Sequence, residues 1–168
     1  EIGRLIRSIK KITKIPVAVL TNGTLLQHTE VRKALMAADL VIPSLDAVTQ
    51  DVFERINRPH RSLRIEDIVA GIKKFRLEFN GKLWIEVLLV KGLNDTPEHL
   101  KMLKTVLDEI GPDKIQLNTV VRPPAETFAR PLIKSGMERV KSIFGDRCEI
   151  IADFKKAADD HLIKSSED

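Results

Sequence analysis

Apolar and polar residues follow one another along the chain in two patterns that take turns. In the first, apolar residues recur every three or four positions, as on one face of a helix. Ile2, Leu5, Ile6, Ile9 and Ile12 show this spacing ahead of Pro16. In the second, short apolar runs end in turn residues, which is typical of buried strands. The patterns predict strands over 17–20, 39–46, 83–90, 114–121 and 148–153, and helices over 2–12, 29–37, 48–56, 65–79, 97–110 and 134–144.

The alternation of helices and strands predicts a parallel α/β sheet in a single domain. Within the strands, Glu86 shares a face with Leu88, and Gln116 shares a face with Asn118. Polar residues on one face are unfavourable in a flat sheet covered by helices on both sides. This pattern favours a partial barrel whose polar interior lines a ligand pocket. For Glu86, a salt bridge to a nearby lysine or arginine explains the carboxylate equally well.

Every predicted strand ends in polar or turn-forming residues. The ends are Thr21-Asn22-Gly23, Ser44-Leu45-Asp46, Lys91-Gly92-Leu93-Asn94-Asp95, Asn118-Thr119 and Asp153. Turn chemistry accounts for any one of them, because Asn, Asp, Ser and Gly are common where strands become loops. The carboxyl ends of parallel strands share one edge, and α/β folds place their active sites there. Five polar ends together therefore favour a site at that edge.

Composition and charge restrict the class of protein. Of the 168 residues, 43% are hydrophobic and 31% are charged, which is ordinary for a globular protein. The apolar runs are far shorter than a membrane span and no signal peptide is recognisable, so we expect a cytoplasmic protein without a membrane partner. The single cysteine, Cys148, forms no internal disulfide and holds no metal cluster alone. A net charge of +4 permits an anionic substrate or RNA but is no nucleic-acid signature.

A basic segment follows the second strand, and several common site motifs are absent. Arginines lie at positions 55, 58, 61 and 64 beside His60, and Arg122 and Arg130 lie in the loop after the fourth strand. These residues either bind phosphate or carboxylate together or form a solvated basic surface. The sequence contains no GxGxxG, GxxxxGK[ST], HExxH or paired CxxC motif, which argues against dinucleotide, P-loop and zinc sites. A Schiff-base lyase would have only Lys91 and Lys114 available on its strands.

Five segments resemble the radical S-adenosylmethionine (SAM) superfamily in their order and spacing. They are LTNGTLL, VIPSLDA, FERINRP, LLVKGLNDT and IQLNTVVRPPAE. More narrowly, they resemble the Fe–S oxidoreductase group related to the enzymes that build wyosine bases in tRNA. The resemblance covers residues 1–153 and implies an incomplete (β/α)6 TIM-like partial barrel of parallel strands alternating with helices. Residues 154–168 are expected to form a tail, helical at first and then frayed.

The resemblance implies a 4Fe–4S cluster on a CxxxCxxC loop, SAM on the cluster, an electron donor and a 5′-deoxyadenosyl radical. This sequence lacks CxxxCxxC and the Gly-Glu-Pro segment. We therefore expect the first two βα units to be absent, and the cluster with them, so that no metal ligand lies in this chain. A chain that opens on a helix agrees, since such a helix is normally the crossover from an earlier strand. By position, the resemblance implies SAM contacts at Asn22, Ser44, Asp46, Glu86, Gln116 and Asn118, and substrate contacts at Arg58, Lys91, Asn94 and Arg122.

We therefore expect this chain to be a fragment of a radical SAM enzyme, and we expect the fragment alone to be inactive. Its parent would bind SAM and act on an unknown substrate, for which a tRNA base is one candidate. The alternative is a metal-free α/β binding module for an anionic ligand or RNA. If the fragment interpretation is right, apolar surface is exposed where the missing units belong, and the isolated chain self-associates.

Overall fold

The computed structural model describes residues 1–154, and the remainder of the predicted tail lies outside the described residues. The helices are α1 (Ile2–Ile12), α2 (Thr29–Leu35), α3 (Gln50–Asn57), α4 (Ile65–Glu78), α5 (Pro97–Ile110) and α6 (Lys134–Phe144). The strands are β1 (Ala18–Thr21), β2 (Leu40–Pro43), β3 (Lys82–Leu89), β4 (Lys114–Thr119) and β5 (Cys148–Ile150). Within the described part of the chain, no helix combines the length and apolar character needed to cross a bilayer.

The five strands form one parallel sheet in the order β1-β2-β3-β4-β5. Each strand therefore lies beside the next strand in the sequence, and helices make the connections between them. A doubly wound sheet would reverse its strand order at a switch point, whereas a barrel wall does not. The predicted parallel α/β partial barrel is confirmed, and all the strand ends lie at one edge.

The two faces of the sheet differ in burial. On β3, Ile85 and Val87 are fully buried, while Glu86 and Leu88 are half-buried on the opposite face. The β3–β4 register sets Glu86 beside Gln116 and Leu88 beside Asn118, so the polar residues share that face. The buried face packs into the core beneath the helices. The half-buried face is thus the polar barrel interior that the strand pattern predicted.

Strands β2 to β5 end earlier than the apolar runs predicted, whereas β1 ends one residue later. After Pro43, β2 leaves the sheet, and Ser44 keeps only an isolated bridge to Glu86. The Asp46 side chain then accepts the backbone N–H of Leu88 at 2.8 Å, where a longer strand would have offered a carbonyl. The helix ends agree better, and α1, α5 and α6 have the predicted bounds. Thr96 Oγ1 accepts the N–H of His99 at the start of α5.

Helix α1 forms where the periodicity predicts it, but most of its apolar face is uncovered. Ile6 is buried, whereas Leu5 is 54% exposed and Ile12 is 85% exposed. On β1, an edge strand of the described sheet, Leu20 is 70% exposed. Apolar surface is therefore exposed at this edge, as the fragment interpretation expects, and self-association stays a prediction.

Candidate functional site

An open cavity of about 790 Å³ lies at the carboxyl ends of β3 and β4. This volume is in the range that small-molecule sites occupy. Its apolar lining includes Leu88, Val90, Val120, Val121 and Phe128. Its polar lining includes Arg55, Arg58, Asn118, Arg122, Glu126 and Asp153. Among the residues that the resemblance implied, Arg58, Asn118 and Arg122 thus line the cavity.

Asn118 contributes an amide to the cavity and is oriented by two contacts. Its Nδ2 donates to Glu86 Oε1 at 3.1 Å, and its Oδ1 accepts the N–H of Thr119 at 2.9 Å. The sequence allows two explanations for Glu86, a salt bridge or a place in a ligand pocket. In the structure its carboxylate instead accepts a hydrogen bond from the Asn118 amide on the neighbouring strand. Both side chains lie on the polar face of the sheet. Asn118 lines the cavity, whereas Glu86 is not among the lining residues and acts on the site by orienting the Asn118 amide.

Gln116 lies on the same face but does not line the cavity. Its Nε2 donates to Glu149 at 2.9 Å, and Lys114 Nζ donates to the same carboxylate at 3.0 Å. The hydrogen bond from Gln116 and that from Lys114 hold the pKa of Glu149 below its usual range. Lys114 also lies 4.5 Å from the centre of the Trp84 ring. Lys114, one of the two lysines considered for a Schiff base, is thus held by a carboxylate and an aromatic ring.

Asp46 is buried and joins β2 to its neighbours. Its side chain accepts the N–H of Leu88 at 2.8 Å and the Nδ2 of Asn57 at 2.6 Å. Burial raises the pKa of Asp46 to about 6, against the effect of these two hydrogen bonds, and the charge of Glu86 raises it further. With both oxygens occupied and the residue 8% exposed, Asp46 positions the site's backbone. A direct contact with SAM, implied by the resemblance, would have to reach a side chain that is almost fully buried.

Asn94 lies beneath the rim, where the resemblance implied an exposed substrate contact. It is 0% exposed. Its Nδ2 donates to the carbonyls of Leu88 at 2.7 Å and Asp46 at 2.8 Å, and its Oδ1 accepts the N–H of Val90 at 2.8 Å. Three backbone groups thus saturate the amide, and Asn94 fixes the loop after β3 to the end of β2.

The remaining implied residues lie away from the cavity. Asn22 accepts the N–H of Thr24 at 3.2 Å in an Asx turn at the exposed end of β1. Ser44 is half-buried, and its N–H donates to the carbonyl of Thr21 at 2.9 Å. Lys91 is exposed. At these positions the structure shows the turn and backbone contacts that polar strand ends commonly make.

Two cavity residues, Glu126 and Phe128, were not singled out from the sequence. Glu126 pairs with Arg58, and Phe128 is 47% exposed beside it. A signal was present, since both follow Arg122-Pro-Pro in the loop after β4. His60, which belongs to the basic segment, instead bonds Ser62 locally.

Cluster ligands are not present in the described part of the chain. No group of three His, Cys, Asp or Glu side chains there is placed to hold a metal ion. Cys148 is buried, and burial raises the pKa of its thiol to about 12, which disfavours the thiolate that iron requires. The described residues do not fit a 4Fe–4S cluster.

We expect Asp46→Asn to flatten the dependence of stability on pH. The pKa of Asp46 in the folded protein, about 6, exceeds its ordinary value of 3.8. The protonated carboxyl group therefore stabilises the folded protein fully below pH 3.8, and this stabilisation is lost as the pH rises through about 6. From about pH 5 to about pH 7 this loss amounts to about 1 kcal/mol. Urea unfolding of both proteins across this range measures it. His99, whose pKa burial lowers, acts in the opposite direction but equally in both proteins.

Asp67→Asn, at an exposed position of α4, is the matched control and should leave the wild-type profile unchanged. Parallel profiles for Asp46→Asn and wild type would show that Asp46 does not titrate in this range.

Comparison with protein-family models finds no match. A protein of Brachyspira hyodysenteriae called GTPase Obg is 40% identical over 159 residues, which are 95% of this chain but 23% of that protein. The UPF0026 protein MJ1312 of Methanocaldococcus jannaschii is 32% identical over 132 residues, 79% of this chain and 41% of that protein. The dual-specificity RNA methyltransferase RlmN of Helicobacter hepaticus is 28% identical over 117 residues, 68% of this chain and 31% of that protein. The chain thus spans less than half the length of these relatives.

The name GTPase belongs to a protein of which the chain matches a small part. The present sequence contains no GxxxxGK[ST] segment, the loop that cradles nucleotide phosphates in P-loop GTPases. Nothing in the matched part therefore predicts GTP hydrolysis.

Solved structures match the fold over most of the chain. A domain of pyruvate-formate lyase-activating enzyme from Bacteroides vulgatus gives a TM-score of 0.70 at 18% identity and covers 88% of both chains. A radical SAM methyltransferase from Sphaerobacter thermophilus gives 0.67 at 20% identity, covering 82% of this chain and 40% of that one. Streptococcus suis SuiB, in a complex with SAM, gives 0.65 at 15% identity, covering 90% of this chain and 36% of that one. The resemblance to the radical SAM superfamily is thereby confirmed at the level of the fold: this chain has the parallel β/α fold of the radical SAM enzymes.

Proposed function

We propose that the whole protein is a radical SAM enzyme and that this chain forms the side of its barrel that holds SAM and faces the substrate. The observation that carries the proposal is the cavity at the strand ends, with Asn118 oriented by Glu86 on the barrel's polar face. Enzymes built on parallel β/α units place their ligands at this edge.

The cavity residues fit the chemical groups of SAM. Leu88 and Val90 provide an apolar surface for an adenine ring, and Asn118 provides a donor and an acceptor for a polar edge. Bound beside a reduced cluster, SAM would supply the radical chemistry that such enzymes use on their substrates. The contribution of this chain is to bind and orient SAM and to shield it from water.

The cluster would be held by residues outside this sequence. A 4Fe–4S site of this class needs three cysteines, and the present sequence contains one, which is buried. The curated relatives are more than twice as long as the matched segments, so they contain further residues. The same proposal includes four further points. The first two βα units of the barrel lie outside this chain, and the whole protein uses an electron donor. This chain is inactive alone, and the protein is cytoplasmic.

We propose RNA as the substrate class, with a tRNA base as one candidate. The support is the relationship to RlmN proteins, which are named as RNA methyltransferases, and the net charge of +4. The alternative function, a metal-free module for an anionic ligand or RNA, is favoured by the arginines at the cavity rim. Iron content of the whole protein, after anaerobic reconstitution, separates the two: about four irons favour the enzyme and none favours the module.

Asn118→Ala should weaken SAM binding by the whole, reconstituted protein by about tenfold, since a hydrogen bond contributes about 1 kcal/mol and the variant also frees Glu86. Equilibrium dialysis with labelled SAM measures the change without depending on turnover. Gln116→Ala is the matched control, because Gln116 lies two residues earlier on the same face but outside the cavity. We expect less than about a twofold change there.

An equal loss in both variants would indicate a general effect on β4 and would remove Asn118 from the SAM site. Absence of SAM binding by the reconstituted wild type would overturn the proposed function itself.

A further inference from the structure

We propose that Arg55, Arg58 and Arg122 form a binding site for the phosphodiester groups of single-stranded RNA, and that the Glu126 carboxylate occupies this site until RNA displaces it. The inference rests on the proposed function for its place at the rim of the cavity proposed to hold SAM, but it is argued from the rim residues alone.

The three arginines converge on one cavity from separate parts of the chain. Arg55 and Arg58 lie at the last turn and end of α3, and Arg122 lies in the loop after β4. Within the described residues, the side chains of Arg55 and Arg122 form no hydrogen bond or ion pair, and both residues are exposed. Guanidinium groups bind phosphate oxygens in a bidentate manner and remain charged at any physiological pH. Two available guanidiniums at one rim suit an anion that bridges them.

Arg58 is held in a strained backbone conformation. Its φ of 47° and ψ of 53° place it in the left-handed region, and it is the only non-glycine residue with positive φ in the described chain. Such strain costs about 1 kcal/mol and is found preferentially at functional sites. Glycine would end α3 at no such cost, as it ends α5 at Gly111. The presence of arginine here directs a guanidinium to the cavity rim.

Glu126 already binds Arg58 as an anionic ligand would. Its carboxylate forms an ion pair with the Arg58 guanidinium across the mouth of the cavity. Both side chains are substantially exposed, at 66% for Arg58 and 40% for Glu126, so water screens the pair and it opens at low cost. A phosphate group can therefore replace the carboxylate.

The wall of the cavity favours nucleotides over a simple anion. Phe128 is 47% exposed beside Arg58 and Glu126, and it lines both the main cavity and a smaller one of about 340 Å³ next to it. Exposed aromatic rings between arginines are the surfaces on which proteins stack the bases of single strands. A charged rim combined with one stacking surface fits a short run of nucleotides.

The test measures fluorescence anisotropy of labelled hexauridylate with the full chain, without SAM or cluster, at low salt. Glu126→Gln removes the competing charge, and we expect it to tighten binding about fivefold, while Arg58→Ala weakens binding about tenfold. Loss of one phosphate contact also lowers the slope of log affinity against log salt by about 0.7. Uridine monophosphate, which has a single phosphate, should bind at least tenfold more weakly than the hexamer.

Two matched controls separate this site from general electrostatics. Glu66 is exposed in the first turn of α4 and lines neither cavity, so Glu66→Gln should change the affinity less than twofold. Arg61 lies in the same basic segment but not at the cavity, so Arg61→Ala should preserve the salt slope. Equal effects of Glu126→Gln and Glu66→Gln, or of Arg58→Ala and Arg61→Ala, would overturn the proposal, as would equal affinities for the monophosphate and the hexamer. Because no SAM is used, these outcomes are independent of whether the protein proves to be a radical SAM enzyme.

Discussion

Asn94→Ala should lower the free energy of unfolding by about 4 kcal/mol, because it leaves several buried backbone groups without partners. The Val90 N–H loses its acceptor, and the carbonyls of Leu88 and Asp46 lose their shared donor. Each buried group without a partner costs about 1–3 kcal/mol, and Asn94 is 0% exposed, so no water reaches it without rearrangement. Urea denaturation of the full chain measures the loss.

The site should be affected together with the stability. Leu88 and Val90 line the cavity, and Asn94 holds the backbone of both residues. Asn94→Asp keeps the acceptor for Val90 but turns a carboxylate oxygen toward two carbonyl oxygens, and we expect it to be as destabilising as alanine. Asn80→Ala, at an exposed turn, is the control and should cost less than about 0.5 kcal/mol. A loss below about 1 kcal/mol for Asn94→Ala would mean that water or a backbone shift replaces the amide.

Asn94 also illustrates what sequence patterns predict and what they leave open. The helices and the parallel order follow from apolar spacing, which local geometry imposes on every residue of an element. The role of a polar strand end depends on which backbone groups remain unpaired after folding. Asp46 and Asn94 bond groups of β3 because β2 leaves the sheet after Pro43. Asp46 and its partner Leu88 are 42 positions apart in the sequence, so no local pattern predicts this contact.

Position along a strand is the second property that the pattern does not contain. Gln116 and Asn118 share a face by the alternation rule, and the structure confirms the shared face. They are about 7 Å apart along β4, at about 3.3 Å per residue, and this distance separates a cavity residue from one that bonds Glu149. In α1 the periodicity likewise identifies the apolar face of the helix but not whether anything covers it, and Leu5 is 54% exposed.

Gly71→Ala should destabilise the chain by about 3 kcal/mol, since a methyl group at this position has no room. A Cβ on Gly71 would lie 2.5 Å from the backbone N of Gln27 and 2.6 Å from the carbonyl carbon of Leu26. These backbone atoms cannot move independently, because Arg32 Nη1 donates to the carbonyls of both residues at 3.0 Å. Either α4 moves away from the loop after β1, or the bonds of Arg32 break. Thermal or urea unfolding of the full chain measures the cost.

The same substitution in α6 separates steric overlap from helix propensity. A Cβ on Gly136 meets nothing closer than Leu132 at 3.7 Å, so Gly136→Ala should be neutral or should stabilise the helix by up to about 1 kcal/mol. Alanine has a higher helix propensity than glycine at both positions. If Gly71→Ala destabilises the protein and Gly136→Ala stabilises it, the difference therefore reports the contact between α4 and the loop after β1. If Gly71→Ala proves neutral or stabilising, the loop after β1 can yield, and the approach of α4 to Leu26 and Gln27 is not what determines its position. If it is strongly destabilising while Gly136→Ala is not, the close backbone contact fixes the carboxyl end of β1 relative to the rest of the barrel edge, including Asn22 at the start of that loop.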